Sequence, residues 1–212
     1  MKIDKYINKG NKRLILFYSG WASNPQTFHR IKSSDSDVWI CYDYTFLHKP
    51  EGLEKYNEIH LIAWSLGVWA SCQTVADIPF TSATAINGTP LPVDNIMGIP
   101  TNIFKGTYET LSVENLQRFN QRMCGNKTIL EEFLHFPCTR DIEELRNELI
   151  SIQQAKVLSD TQLFTHAIIS TNDRIFPSNN LSNYWKNKCH VTEIDAPHYP
   201  FYLWTEWREL WK

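Results

Sequence analysis

Residues 58–71, EIHLIAWSLGVWAS, constrain this chain more than any other stretch. They open as a short apolar run of strand type and continue, past Ala63-Trp64-Ser65-Leu66-Gly67, as the start of a buried helix. A turn this tight brings the positions two before and two after the serine into near contact, so both must be small. Here they are Ala63 and Gly67. Such a turn lifts the Ser65 hydroxyl above a sheet edge and aims the first N–H groups of the helix at charge developing beside it. Ala-x-Ser-x-Gly also arises by chance, and a buried serine bonded to backbone would satisfy the same five letters. The rest of the chain has to decide.

Other apolar runs supply the frame. Residues 2–7 alternate weakly, residues 8–11 carry turn formers, and 13–18 (RLILFY) read as a central strand, which together predict an antiparallel edge hairpin. The central strand runs out into Ser19-Gly20-Trp21-Ala22, where Gly20 is expected to permit an unusual backbone turn. Further strands are expected over 38–44, 59–64 and 83–88. Intervals of roughly a dozen or more residues between strands mean parallel crossovers and a sheet covered on both faces. The pattern breaks after Pro92: about 93–160 reads as a helical cap insertion, with amphipathic pieces at 112–123, 128–135 and 141–156. Ser112 is placed as an N-cap, and Leu116, Phe119 and Met123 lie along one side of its helix. Strands resume at 164–170 and 189–195. In the last segment, 201–212, Trp204, Trp207 and Trp211 fall at i, i+3 and i+7, predicting a helix docked on the sheet. The fold class is α/β: a mostly parallel sheet with an antiparallel N-terminal edge and a small helical cap, in a single domain over 1–212.

Composition narrows what such a fold serves. Lys+Arg 21 against Asp+Glu 23 gives a net charge of −2, which argues against a nucleic-acid or acidic-membrane partner. No apolar signal core follows Met1, and no run approaches the roughly 20 apolar residues that span a bilayer, so a cytoplasmic protein is expected. Five scattered cysteines without a C-x-x-C pair indicate reduced thiols, and neither cysteines nor histidines suggest a metal or cofactor site.

Two loops complete a constellation with Ser65. Thr171-Asn172-Asp173-Arg174 follows one late strand and Ala196-Pro197-His198-Tyr199 follows the last. Carboxyl ends of parallel strands share one rim, so Ser65, Asp173 and His198 can converge there, in the chain order that α/β-hydrolases use. A serine hydroxyl needs a base with a pKa near 7, which histidine supplies, and Asp173 would hold the imidazole in its useful tautomer. Oxyanion donors are then the backbone N–H of Leu66, after the nucleophile, and of Trp21, after the early strand. Asp195 is the rival acid, set aside because it reads as part of the last strand. Trp64 flanks the serine, where packing is its default role and lining a pocket the other.

FYSGWASNPQTF, AWSLGVWAS, AINGTPLPVD, STNDRIFP and DAPHYPF together resemble the BioG-type pimeloyl-acyl-carrier-protein methyl ester esterases, along nearly the whole chain. The resemblance implies a cofactor-free serine carboxylesterase of biotin synthesis, with the triad on Ser65, Asp173 and His198 and oxyanion donors at Trp21 and Leu66. Its substrate would be methyl pimeloyl on acyl carrier protein, with methanol released, and a functional link to a malonyl-carrier-protein methyltransferase follows. Carrier proteins are acidic, so Arg118 and Arg122, four apart on the predicted cap helix, are candidates for docking, with Lys105 and Lys127 nearby. A solvated helix face accounts for the same cations. An acyl thioesterase or small-ester hydrolase would use the same triad, and a binding module without turnover is the alternative of another kind.

Overall fold

The computed structural model describes residues 1–156 and 162–211. A seven-stranded sheet is built from β1 (Lys2–Ile7), β2 (Arg13–Tyr18), β3 (Ser36–Tyr42), β4 (Glu58–Trp64), β5 (Ser82–Ile86), β6 (His166–Ser170) and β7 (His190–Ile194), in the spatial order β1-β3-β2-β4-β5-β6-β7. All neighbours from β3 to β7 run parallel, and β1 alone is antiparallel. The expected α/β architecture with an antiparallel N-terminal edge is therefore present, but the edge is not a hairpin. β1 pairs with β3, and β2 lies on the far side of β3. The cause is Asp37 at the start of β3: its buried carboxylate accepts the N–H groups of Lys9, Gly10 and Asn11, so the turn after β1 is fastened to β3 instead of closing onto β2.

Strand side chains divide by the two-residue period between the two faces. Leu14, Leu16, Leu61 and Ala63 enter one core; Ile15, Phe17, Ile62 and Trp64 enter the other. The first face is covered by α1 (Leu66–Thr74) and α6 (Ser178–Trp185). On the second face, Phe28, Phe201, Trp207 and Leu210 come from short 3₁₀ turns, joined by Met123, Cys124, Ile129 and Phe133 from the insertion between β5 and β6. This corrects the expected C-terminal helix. Lys32 exchanges backbone hydrogen bonds with Thr205 and Trp207, which holds that segment extended between the turns. Trp207 is buried against Phe17, whereas Trp211 stacks on His60.

Among the described residues, four helices lie between β5 and β6: α2 (Thr101–Glu109), α3 (Val113–Cys124), α4 (Lys127–Phe133) and α5 (Ile142–Gln154). Ser112 caps α3, its hydroxyl accepting the Asn115 N–H, and Asp141 with Glu144 forms a capping box on α5. α2 was not foreseen: it begins after Pro100 without a side-chain cap and carries Gly106, so local signals are weak. The expected end of the insertion near residue 160 lies outside the described residues. None of the described helices is long and apolar enough to cross a membrane.

Candidate active site

Ser65 stands between the last residue of β4 and the first of α1 with φ 57° and ψ −127°, a left-handed conformation that costs an L-residue of order 1–3 kcal/mol. Surrounding close contacts hold it there. A Cβ on Gly67 would sit 2.4 Å from the Tyr18 carbonyl oxygen, and one on Gly88 would sit 2.2 Å from that of Ser65. Gly67 must be small because the Tyr18 and Ser19 carbonyls at the end of β2 lie against it, and Ala63 pairs with Tyr18 on the neighbouring strand. Gly20 likewise does not supply the positive φ of its loop, which falls at Ala22 (58°); Gly20 is required because the Trp64 ring would lie 2.8 Å from any Cβ.

Three sequence-predicted residues meet at the strand ends. Ser65 Oγ is 2.9 Å from His198 Nε2, and His198 Nδ1 is 2.6 Å from Asp173 Oδ2. The His198 and Asp173 side chains are almost completely excluded from solvent, so their mutual attraction is little screened. Asp173 Oδ1 accepts the N–H groups of Ile175 and Phe176, which points the other oxygen at the imidazole. Asp195 lies one residue past β7, not within it, and its exposed carboxylate is engaged by the Asn172 amide. His198 is also held from behind: its carbonyl accepts from Trp64 Nε1 at 2.9 Å and from Asn87 Nδ2 at 3.0 Å. Asn87 in turn brackets Ser170 through its own amide. Asn87 belongs to the AINGTPLPVD run and has a positive φ (47°) at the end of β5.

A cavity of about 240 Å³ opens on Ser65 and His198. Trp21, Trp64 and Leu66 form its floor near the serine, and apolar side chains of α2, α3 and α5, among them Ile103, Phe104, Phe119 and Leu149, form its opposite wall. Leu66 opens α1, so its N–H lacks an intrahelical acceptor. Such a space accepts an apolar chain with a reactive carbonyl at one end. Burial pushes the nearby Cys124 thiol up to about 12, which makes it an inert neighbour.

The predicted docking cations fare differently. Arg122 lines the cavity, while Arg118 is exposed, turns back to Asn115 and does not line it. Lys105 and Lys127 are each within reach of a glutamate one turn on. Arg174, which the sequence reading passed over beside Asp173, also lines the cavity and is exposed.

The chain is 39% identical over 212 residues to an uncharacterized protein of Haemophilus influenzae, covering 98% of each. The crystal structure of BioG from Haemophilus influenzae superposes with a TM-score of 0.92 at 37% identity, over 100% of both chains. A malonyl-[acyl-carrier protein] O-methyltransferase of Bacteroides fragilis is 38% identical over 194 residues, which span 89% of this chain but only 40% of that protein. A carboxylesterase structure from Nitrososphaera gargenis shares the fold at 11% identity, with a TM-score of 0.66 over 93% of this chain and 87% of that one. A model of the family described as pimeloyl-ACP methyl esterase BioG matches residues 1–210. The chain therefore belongs to the BioG family of pimeloyl-ACP methyl esterases, hydrolases built on the α/β-hydrolase fold.

Proposed function

We propose that Ser65, His198 and Asp173 hydrolyse the methyl ester of a pimeloyl chain carried on acyl carrier protein. The observation that carries this reading is the continuous Ser65–His198–Asp173 hydrogen-bonded line at the floor of an apolar cavity. Ser65 Oγ attacks the ester carbonyl as His198 Nε2 takes its proton; the oxyanion is received by the N–H groups of Trp21 and Leu66. Collapse of the tetrahedral intermediate expels methanol, protonated by His198. Water activated by the same imidazole then releases the carboxylate and regenerates Ser65. Asp173 holds Nδ1–H toward itself.

The acyl chain would lie against Phe104, Phe119 and Leu149, with its carrier outside. Arg122 and Arg174 stand at that opening, one from a cap helix and one from the core, and an acidic carrier would meet both. Arg118 does not line the cavity, and its exposed guanidinium keeps it in the proposed docking set beside Arg122. A link to methyl transfer is supported by the Bacteroides fragilis relative, whose name describes a methyltransferase and whose length is only partly matched by this chain.

The test is to give the protein methyl pimeloyl-carrier protein and follow methanol and free carrier thiol separately, with Ser65→Ala as control. Methanol released with the thioester intact is the expected result. Preferential release of the carrier thiol would make the protein a thioesterase, and a folded wild type no faster than Ser65→Ala would make it a binding module.

A further inference from the structure

Trp21 does more than present a backbone N–H. Its indole is almost fully buried, donates from Nε1 to the carbonyl of Leu145 on α5 at 3.0 Å, and meets Phe119 of α3 edge to face at 5.0 Å. One turn along α5, the fully buried Glu148 accepts the Tyr44 N–H at 2.7 Å through one oxygen and pairs with Arg140 through the other; Arg140 reaches on to Asp43 at 3.1 Å. The Tyr44 hydroxyl then donates to the carbonyl of Ser19 at 2.6 Å. Ser19 and Trp21 flank Gly20, so α5 grips the loop on both sides of the glycine that touches Trp64. Leu145 and Glu148 are three apart and both fully buried, on one face of the helix. Leu149 on the same helix lines the cavity.

A carboxylate taken wholly out of water is costly unless its oxygens are satisfied, and an apolar side chain would seat the helix at less cost. What Glu148 adds is direction: hydrogen bonds fix where the loop carbonyls and N–H groups point, which side-chain packing does not. An oxyanion donor works only when it stands about 2.7–3.1 Å from where the charge will form, so the loop's position sets the rate directly.

We propose that helix α5 is the positioning element of the oxyanion hole, with the Trp21 indole and Tyr44 as positioning residues that carry its placement to the Ser19–Trp21 loop. This rests on the reading of the Trp21 and Leu66 N–H groups as oxyanion donors. The helices that shape the acyl cavity thereby also complete the catalytic floor.

Trp21→Phe removes the indole N–H but keeps an aromatic ring and the backbone donor; Tyr44→Phe removes only the hydroxyl. With p-nitrophenyl butyrate, each variant is expected to lose about tenfold in kcat with KM within about twofold, a smaller loss than deletion of a donor itself. Binding of a short-chain trifluoromethyl ketone, which reproduces the tetrahedral oxyanion, should weaken by the same factor. The double variant should lose less than the product of the two, because both act on one loop. A folded Trp21→Phe or Tyr44→Phe with wild-type kcat and ketone affinity overturns the proposal. So does a loss expressed wholly in KM or melting temperature while ketone affinity holds. If Trp21→Phe does not fold, Tyr44→Phe decides by the same measurements. A wild type that binds the ketone no better than Ser65→Ala overturns the esterase reading itself, and with it the proposal.

Discussion

Ser65 keeps its positive φ where Gly88 lets a backbone approach its carbonyl and Gly67 lets the Tyr18–Ser19 backbone approach the first turn of α1. Gly88→Ala would force a methyl group against the Ser65 carbonyl oxygen. We expect it to cost about 2–3 kcal/mol in urea denaturation and to abolish turnover, since relief must come from moving the elbow. Asp173→Asn should behave oppositely. The asparagine oxygen can still accept from Ile175 and Phe176, so the melting temperature should change little, whereas its NH₂ group facing Nδ1 imposes the wrong tautomer. A loss of about 10³–10⁴ in kcat is expected, checked against the same ester. At this scale the convergence of Ser65, His198 and Asp173 was legible because each of these residues stands at the end of an apolar run. Asn87 and Arg174 were not. Their positions depend on how β5 and β6 meet the His198 loop and the cavity, which no local pattern encodes.

Whole elements were legible where the period was clean and illegible where a distant contact overrode it. The central strands follow from alternation, α3 from Ser112 and its apolar side, and α5 from the amphipathic period of 141–156. The C-terminal tryptophan spacing imitated a helix, but pairing with Lys32 prevailed. The edge strand was misassigned because the decisive group, Asp37, acts across 26 to 28 residues. Burial alone would push its carboxyl up, yet the N–H groups of Lys9, Asn11 and Gly10 together with the Tyr56 hydroxyl hold it below the usual range. A carboxyl lowered in the folded state contributes stability above its unfolded value of about 3.9 and loses it as pH falls through the folded value. Asp37→Asn should therefore cost about 2–3 kcal/mol at pH 7. In urea titrations the gap between wild type and variant should narrow steadily below about pH 4. A gap that is constant with pH would mean the carboxylate charge is not what fastens β1.

Considered whole, the molecule brings two guanidinium groups, those of Arg122 and Arg174, to the lining of one largely apolar cavity beside Ser65 and His198. Charge reversal at Arg122 and Arg174 should raise KM for methyl pimeloyl-carrier protein at least tenfold while leaving p-nitrophenyl butyrate kinetics within about twofold, and the carrier effect should shrink with added salt. An equal loss on both substrates would place these arginines in the cavity's architecture instead. The edge pairing has a further consequence, in time and not in space. Because β1 joins β3 and all the other strand pairs are parallel, the sheet contains no hairpin among the described residues. Each ladder must wait for a long loop to close, so no strand pair can serve as a quick local nucleus, and folding belongs in the slower part of the range, nearer seconds than microseconds. During that wait Val-, Ile- and Leu-rich strands stand unpaired in the open, and recovery from denaturant should fall with rising protein concentration as intermolecular association competes with closure.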